Sequence, residues 1–442
     1  MNNVNKYLIS FVLSAIAATA SAGDFAFLGN TAPVFTETPE ASTGLNAVYV
    51  LNNTAGVKIA YTADSNPASV KWYVYGNTGG GYAQEVTSGI SVEGTTSVLN
   101  AIDANKGYII EEGTNRKYIW VVNYADFYFS IDALAVSSES DCSTTIVMPV
   151  GFGPEMTYYT INGQRKVLDR EISLSYNTLE WNDKTSSYQY VERAKSFTAL
   201  KESMQVDAPL CNTTFVVKGD KYLHFWGTED SAESDTYHAQ AVEVHATATR
   251  TNPEEGDTEL GGSAPADICF EGFVTDAVIH KEWQIAKDEE FVEILQRYDE
   301  ETLNYTFNEA GTFYVRFMGA NDSGACESYS DIFTISIGES DLRCPNAFSP
   351  EASEGINDVW RVKYKSIISF ECHIFNRWGV EIFKFNDPSQ GWDGKYKGKY
   401  VGPGVYFYVI EAKGADGKKY KLKGDINIVG YNKNKNNTTP TE

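Results

Sequence analysis

Val405–Lys413 has the sequence Val-Tyr-Phe-Tyr-Val-Ile-Glu-Ala-Lys, and Lys418–Val429 follows it after a short gap. The gap ends in Asp416-Gly417, a pair that favours a tight hairpin turn because Gly readily takes the positive φ that such a turn requires. The first run is rich in aromatic and β-branched residues, which suit the pleated surface of a strand. The pattern predicts a β-hairpin in the last part of the sequence.

The composition extends this prediction to the whole chain. The 442 residues include 28 Tyr, 23 Phe and 36 Gly, which is typical of strands joined by turns. A chain of this length is too long for one ordinary core and fits several units of roughly 100 residues. Turn and linker signals predict β-modules at residues 23–139, 140–262 (ending in an acidic linker), 263–340 and 341–431, and a disordered tail at 432–442.

Local patterns predict structure inside the modules. Trp72 and Trp120 lie in the middle of predicted strands and are expected in the core of the first module. Alternation and composition predict three further strands, Phe127–Val136 in the first module and Tyr222–Trp226 and Ala239–Thr249 in the second. A spacing of i, i+3, i+4, i+7 predicts a short helix in the third module, with its apolar side formed by Phe291, Ile294, Leu295 and Tyr298.

The first residues have the features of a signal peptide. Met1–Lys6 is polar with one Lys, and an apolar run continues from Tyr7 to about Ala18. Ala20-Ser21-Ala22 then matches the small-x-small cleavage pattern, which predicts a signal peptide at 1–22 and cleavage between Ala22 and Gly23. A membrane anchor is the alternative, but about a dozen apolar residues are too few to span a bilayer, which takes roughly 20. We expect export to the periplasm.

Charge is distributed unevenly and excludes one class of partner. The formal net charge is −23, yet residues 343–442 hold 16 Lys and Arg against 11 Asp and Glu and sum to +5, so the rest of the chain carries −28. Nucleic-acid backbones require clustered Lys and Arg. The acidic body therefore predicts that the protein does not bind nucleic acid.

Six cysteines are placed as if one pair served each of three modules. Their positions favour disulfides between Cys142 and Cys211, between Cys269 and Cys326, and between Cys344 and Cys372, although six cysteines allow 15 connectivities. Export permits such oxidation. No two cysteines have Cys-x-x-Cys spacing, so the sequence predicts structural disulfides and no metal site.

Known catalytic patterns do not occur in the sequence. None of the five His residues lies in a His-Glu-x-x-His motif, and no Gly-x-Ser-x-Gly, phosphate-loop or dinucleotide fingerprint is present. His238 and His245 are seven residues apart in a predicted strand, which places them on opposite faces. We predict a non-enzymatic protein without a cofactor. A secreted hydrolase with an unrecognised site stays an alternative, because sequence alone does not locate two carboxylates that converge across a cleft.

A set of short phrases occurs in order near the end of the sequence. They are Cys-Pro-Asn-Ala-Phe-Ser-Pro at 344–350, Gly-Ile-Asn-Asp at 355–358, Ile-Phe-Asn-Arg-Trp-Gly at 374–379, Gly-Trp-Asp-Gly-Lys-Tyr at 391–396, Gly-Val-Tyr-Phe-Tyr-Val at 404–409 and Lys-Gly-Asp-Ile at 423–426. This segment resembles the gliding-motility-associated C-terminal domain, the type B sorting domain of the type IX secretion system. The motif residues of the resemblance are Asn346, Phe348, Pro350, Gly355, Asn357, Asp358, Phe375, Asn376, Arg377, Trp378, Gly379, Trp392, Asp393, Gly394, Gly404, Val405, Tyr406 and Gly424.

The resemblance implies a partner and a destination. The partner is the type IX secretion machinery in the outer membrane, and the destination is the cell surface or the medium. The sequence departs from the family in the loop Glu351–Gly355, which lacks the family's Asn-Gly-Asp and is one residue longer, so a role for this loop in sorting or ion binding does not carry over. Within the motif, Trp378-Gly379 predicts a turn with Trp as an apolar lid in the core. Arg377 is expected to pair with Asp358 or Asp393, or to stack on an aromatic ring.

The third module loosely resembles a PKD-type Ig-like domain through Gly311–Phe317, Asn321 and the upstream Trp283. That family's Trp-Asp-Phe-Gly-Asp phrase is absent, so the resemblance implies the fold alone. The fold class we predict is all-β, with tandem Ig-like β-sandwich modules of which the last is the sorting sandwich. By fold analogy the first three modules serve adhesion or bind a surface or host ligand, a glycan or a protein. The alternative is a structural component of a surface or motility filament.

Overall fold

A computed structural model describes residues 24–137, 141–254, 257–350, 352 and 355–429. These residues form strands with very little helix, arranged in four successive groups of sheets that we name units 1 to 4. The predicted all-β class with tandem Ig-like sandwiches is confirmed. The predicted cleavage between Ala22 and Gly23 and the predicted tail 432–442 lie outside the described residues.

Unit 1 consists of two sheets and contains two buried tryptophans. The sheets have strand orders β1-β4-β8-β7 and β2-β3-β10-β9-β5-β6. Trp72 and Trp120 are at most 1% exposed; Trp72 lies in the core between the sheets as expected, whereas Trp120 lies on the opposite face of the second sheet and packs against Tyr159 of unit 2. The strands are β1 Phe25–Leu28, β2 Phe35–Glu37, β3 Ala47–Leu51, β4 Lys58–Thr62, β5 Lys71–Tyr75, β6 Gln84–Glu85, β7 Ile90–Glu93, β8 Thr96–Leu99, β9 Lys106–Glu112 and β10 Asn115–Asn123, with 3-10 turns at Ala41–Thr43, Pro67–Ser69, Gly80–Tyr82 and Tyr124–Asp126.

Unit 2 is a sandwich with one short helix. Its two main sheets have strand orders β11-β12-β17 and β16-β15-β18-β19, and β13 and β14 form a separate hairpin. Val147, Met204 and Phe215 are fully buried between the sheets. The elements are β11 Ser130–Val136, β12 Thr144–Phe152, β13 Thr157–Tyr159, β14 Arg165–Val167, β15 Ile172–Asn182, β16 Ser187–Phe197, β17 Met204–Asp207, β18 Val216–Lys218, α1 Lys221–Phe225 and β19 Ser231–Glu233.

Unit 3 is a smaller sandwich around Trp283. One sheet has the order β20-β21-β24, and the other has β23-β22-β25-β26 with β27 also paired to β25. Trp283 is fully buried against Phe270 and Phe317, with ring centroids 5.3 and 4.7 Å away. The strands are β20 Val244–Arg250, β21 Ala266–Val274, β22 His280–Ala286, β23 Ile294–Tyr298, β24 Thr302–Phe307, β25 Gly311–Ala320, β26 Glu327–Tyr329 and β27 Phe333–Ile337.

Unit 4 is built on a five-stranded sheet of order β29-β36-β35-β31-β32. The hairpin predicted around Asp416-Gly417 forms its centre, with Val405 opposite Asn427. The pairs β28–β30 and β33–β34 complete the unit. The strands are β28 Asp341–Arg343, β29 Ala347–Phe348, β30 Lys363–Lys365, β31 Ile367–Phe375, β32 Glu381–Phe385, β33 Lys395–Tyr396, β34 Lys399–Tyr400, β35 Gly404–Gly414 and β36 Lys419–Ile428.

Two predicted strands belong to a different unit from the one expected. The predicted strand Phe127–Val136 was assigned to the first module, but β11 pairs with β12 and buries Ile131 and Leu134 in unit 2. The run Ala239–Thr249 was assigned to the second module, but β20 pairs with β21 of unit 3. The unit to which a strand belongs is set by the strands with which it pairs, and composition does not reveal this pairing. We propose module boundaries immediately before β11 and β20.

Two elements have a different secondary structure from the prediction. Tyr222–Trp226 was predicted as a strand, but Lys221–Phe225 is helical because the Asp220 carboxylate caps it by accepting from the Leu223 N–H. The short helix predicted from Phe291 to Tyr298 is wrong, since β23 pairs with β22. Phe291 has a positive φ of 54° and is buried under the Arg316 guanidinium, 4.0 Å from the ring centroid, so the backbone turns there.

A buried ion pair lies where units 1 and 2 meet. The Arg170 and Asp220 side chains have no solvent exposure, and Arg170 Nε donates to Asp220 Oδ2 over 2.7 Å. The Tyr124 hydroxyl of unit 1 donates to the same carboxylate at 3.1 Å. Both members of the ion pair belong to unit 2, so the hydrogen bond from Tyr124 is what connects unit 1 to it, and this bond offsets part of the cost of desolvating the two charges.

The disulfide prediction is wrong in all three of its pairs. Cys142 bonds to Cys326, which links unit 2 to unit 3 and leaves Cys211 and Cys269 as free thiols. The contact between the two units brings these distant residues together, and sequence spacing does not reveal it. Cys344 and Cys372 are not bonded either, although both lie in the core of unit 4. Burial raises the pKa of the Cys372 thiol, and the neighbouring Cys344 raises it further.

Candidate functional site

Several motif residues of unit 4 build its core. Trp392 is fully buried, as is Trp360, and the two exchange backbone N–H···O bonds of 2.9 Å. Each indole N–H donates to a backbone carbonyl, Trp360 to Pro345 at 2.7 Å and Trp392 to Lys395 at 2.9 Å. Phe348 is buried against Trp392 with ring centroids 5.5 Å apart. These aromatic residues therefore hold the unit together.

Other motif residues shape turns and close approaches. Asn346 accepts from the Asn427 N–H, and Asp358 accepts from the Gly355 N–H. A Cβ at Gly424 would lie 2.7 Å from the Tyr408 hydroxyl, so a larger residue requires the Tyr408 ring to move. Turn geometry also explains the remaining small or polar motif positions, which are Pro350, Asn357 (φ 56°), Gly379 (φ 79°), Asp393 (accepting from the Lys395 N–H) and Gly394 (φ 77°). Of the departing loop, Ala352 and Gly355 are described, and its remaining residues lie outside the described part.

The turn between β31 and β32 is the exposed part of the motif. The Asn376 carboxamide oxygen accepts from the N–H groups of Trp378 and Val380 at 3.0 Å each, and Gly379 supplies the positive φ. The Trp378 side chain is 72% exposed, so the predicted role as a core lid is wrong. The turn directs it into solvent, while the core of unit 4 holds Trp392 of the motif and Trp360, which lies outside the motif. Of the alternatives for Arg377, stacking is found, with the guanidinium 4.3 Å from the Trp378 ring centroid.

A cavity of about 410 Å³ lies beside this turn. Tyr406 faces it and donates its hydroxyl hydrogen to the Gly402 carbonyl at 2.9 Å. Burial raises the pKa of Tyr406, while the nearby Arg377 charge lowers it. Apolar and aromatic side chains form most of the lining, which includes Trp378, Ile382, Tyr396, Val401, Val405 and Tyr406. A shallow cavity with aromatic rings, polar surface and one cation at its edge suits a side chain of a partner protein.

A row of apolar side chains on β35 continues from the turn. Val405, Phe407 and Val409 point away from the core and are 45%, 44% and 42% exposed. Val405 belongs to the sequence motif, whereas Phe407 and Val409 do not. A signal for them was present in the sequence, because the unbroken apolar run Val405–Ile410 is typical of a strand that is covered on both faces.

The described residues contain no group of three or more His, Cys, Asp or Glu arranged to hold a metal ion. His245 stacks on Trp181 with ring centroids 4.4 Å apart and lies 3.2 Å from the Glu243 carboxylate. This contact joins the hairpin β15–β16 to unit 3 and gives the histidine a packing role. No helix in the described ranges is long and apolar enough to span a bilayer.

Comparison with known families assigns the two best-defined parts of this architecture. Residues 342–428, which are unit 4, match the CHU_C Type IX secretion signal domain. Unit 4 carries a type IX secretion signal. Residues 134–234, in unit 2, match a Fibronectin type III domain. Together the two matches cover less than half of the chain, and neither family is catalytic. The secretion signal implies recognition by the type IX machinery and export to the cell surface or extracellular space.

Solved structures with a similar course of the chain have low identity. Sidekick-1 immunoglobulin domains 1–5 share 10% identity with a TM-score of 0.26, covering 87% of this chain and 78% of that one. Three N-terminal domains of the outer capsid protein Hoc of bacteriophage RB49 share 11% (TM-score 0.21, 69% and 99% covered). Dimeric latent PorU from Porphyromonas gingivalis shares 8% (TM-score 0.15, 71% and 35% covered). The search of curated proteins found no match.

Proposed function

We propose that the type IX machinery recognises the secretion signal as a folded unit and contacts it at the Arg377–Trp378 turn. The main observation in support is that Trp378 is 72% exposed although two other tryptophans of the same unit are completely buried. A large aromatic side chain left in solvent contributes little to folding and offers contact area to a partner, as tryptophan and arginine do at interaction hot spots. The cavity beside it receives a side chain of that partner.

The test is export of the full chain in a host with type IX secretion. Trp378→Ala removes the contact, so the fraction of chain at the surface or in the medium falls and folded protein accumulates in the periplasm. Tyr82→Ala is the matched control, because Tyr82 is an aromatic residue of unit 1 that is 77% exposed. Limited proteolysis of the periplasmic fraction shows whether the retained chain is folded. Normal export of the Trp378→Ala chain would contradict the proposal.

Units 1 to 3 are, in our proposal, the part that acts outside the cell, in adhesion or in binding a glycan or protein ligand, without catalysis. An exposed apolar row on the outer face of β12 supports this role. Met148, Val150 and Phe152 are 38%, 58% and 41% exposed, and the Tyr128 ring lies 4.7 Å from that of Phe152. Exposed apolar rows of this kind mark contact surfaces. A glycan and protein binding array compares the full chain with Val150→Glu, and equal signals from both would contradict a role for this row.

A further inference from the structure

The outer face of the unit 4 sheet is apolar where a solvent-facing sheet is normally polar. On β35 the inward residues Tyr406, Tyr408 and Ile410 pack in the core, and the outward Val405, Phe407 and Val409 stay more than 40% exposed. Antiparallel strands with one wet face alternate apolar and polar residues, whereas strands that are apolar on both faces are covered on both faces. In a single copy of the chain nothing covers this apolar face among the described residues, so we expect a partner to cover it.

Charged side chains flank this row in a regular order. A level is a set of residues that lie opposite one another on neighbouring strands. The charged outward residues at the level of Phe407 are acidic and lie on β36 and β32, with Phe375 of β31 between, and at the level of Val409 the corresponding residues are basic. The strand registers give the first level as Glu381, Phe375, Phe407 and Asp425, and the second level as Lys384, His373, Val409 and Lys423. The signs therefore reverse from one level to the next on both sides of the apolar row.

We propose that a second copy of the chain covers this face in a two-fold symmetric dimer. A two-fold axis in the plane of the interface, perpendicular to β35 and between the two levels, places Phe407 of one copy on Val409 of the other. The same rotation sets Asp425 opposite Lys423 and Glu381 opposite Lys384. Each contact occurs twice, as symmetry requires of an isologous interface.

The charges favour this axis over a two-fold axis that runs along β35. An axis along β35 would place the acidic level of one copy on the acidic level of the other, with Asp425 over Phe375 of β31 and one strand away from Glu381. The intrachain pairs that occupy these groups now, such as His373 with Glu381 at 2.7 Å, are partly exposed. Exposed pairs contribute little, so they rearrange easily when a second copy arrives. Two sheets packed face to face at about 10 Å then close the apolar row.

The decisive experiment mixes two charge-reversed full-length chains. Asp425→Lys alone sets two lysines against each other at each contact, and Lys423→Asp alone sets two aspartates together. Each variant is expected to raise the dimer dissociation constant by about tenfold or more in sedimentation velocity runs at low salt. An equimolar mixture places lysines of one chain opposite aspartates of the other, so the mixed dimer forms with the affinity of the original chain. Failure of the mixture to associate would overturn the proposed register.

A second variant tests the apolar row itself. Phe407→Glu is expected to raise the dissociation constant on the order of 30-fold, as loss of an interface hot spot does. Val292→Glu, in unit 3 at a residue that is 87% exposed, is the matched control and is expected to leave the dimer intact. The proposal is overturned if the original chain is still a monomer at about 100 μM. This holds even if Phe407→Glu also reduces export, because that result would assign the face to the secretion machinery. If Phe407→Glu loses the dimer but is exported normally, the dimer proposal is supported. That result does not bear on the proposed contact of Trp378 with the secretion machinery.

Discussion

At the scale of single residues, the three tryptophans of unit 4 differ only in their surroundings. Trp360 and Trp392 have buried indole rings whose N–H groups donate to carbonyls, while Trp378 lies on a turn and stacks only on Arg377. Hydrophobicity alone predicts all three in the core. The backbone of the Asn376–Val380 turn instead directs Trp378 into solvent, and the geometry of this turn depends on the pairing of β31 with β32.

The first prediction compares two of these residues. Trp392→Ala removes a buried aromatic group and is expected to lower the free energy of unfolding by about 3–5 kcal/mol. Trp378→Ala is expected to change it by no more than about 0.5 kcal/mol, as for other exposed positions. Urea denaturation of the two full-length variants, followed by fluorescence, measures both. Equal losses of stability would show that Trp378 packs against the core.

The second prediction concerns Glu112 and pH. The carboxylate is buried in unit 1 and accepts hydrogen bonds from the Tyr61 hydroxyl, the Asp64 N–H and the Ser65 N–H. Burial raises the pKa of Glu112, but these donors outweigh it and the pKa lies below the ordinary value. A lowered folded-state pKa gives stability that is complete above the unfolded value of about 4.3 and is lost as pH falls through the folded value.

Glu112→Gln is therefore expected to cost about 1–3 kcal/mol at neutral pH, because the amide offers one carbonyl acceptor in place of a charged pair of oxygens. The difference in unfolding free energy between the original chain and the variant shrinks as the pH drops below about 4. Denaturant titrations from pH 7 to pH 3 measure it. A difference that stays constant over this range would contradict the ionised state of the buried carboxyl.

At the scale of elements, α1 shows where pattern and structure separate. Lys-Tyr-Leu-His-Phe alternates well enough for a strand, yet Asp220 supplies an N-cap and Arg170 neutralises that same carboxylate. The cap acts locally, but the partner is 50 residues away. β23 is the reverse case, where helical spacing gives way to pairing with β22. Strands with aromatic runs and Asp-Gly turns were predictable, while strand membership was not.

The third prediction addresses the ion pair at this helix. Asp220→Ala leaves the Arg170 guanidinium buried without its partner and is expected to cost about 3–5 kcal/mol. Replacing both residues, with Arg170→Met and Asp220→Leu, is expected to cost less than the sum of the single changes, because no charge then stays buried. A double-mutant cycle by chemical denaturation gives the coupling. Additive costs would mean that the two side chains do not interact.

At the scale of the whole molecule, the sequence phrases locate the secretion signal almost to its ends, because they specify a core and its turns within one unit. The exposed row of Phe407 and Val409 was missed, since an apolar strand is ordinarily buried. The Cys142–Cys326 bond was beyond prediction because it depends on how two units meet. Spacing along the chain carries no information about that contact.

The fourth prediction tests the division into cargo and signal. A chain that ends at Ser340 keeps units 1 to 3 but lacks the secretion signal. It is expected to accumulate in the periplasm while the full chain reaches the surface or medium, as measured by fractionation and immunoblotting. Removal of residues 432–442 alone is expected to matter little, because in our proposal the machinery recognises the folded unit. Surface delivery of the shortened chain at the normal level would refute the role of unit 4.

The fifth prediction concerns the disulfide. Non-reducing peptide mapping of exported protein is expected to recover Cys142 linked to Cys326, with the other four cysteines alkylated after unfolding. Closing a loop of 184 residues is worth up to about 5 kcal/mol in the chain-entropy model. Cys142→Ser is expected to lower the midpoint of unfolding accordingly. A Cys269–Cys326 peptide in the map would reinstate the pairing expected from sequence.

The same bond determines how the molecule carries mechanical load. A pull applied between unit 1 and unit 4 passes through the sulfur atoms from Cys142 to Cys326, and the 184-residue stretch between them is bypassed. A stretch of that length would otherwise yield roughly 600 Å of extension at about 3.3 Å per residue. Under tension, most of units 2 and 3 therefore keeps its shape while units 1 and 4 lengthen first. In the adhesive role that we propose for units 1 to 3, the disulfide would therefore limit the length of the tether under shear.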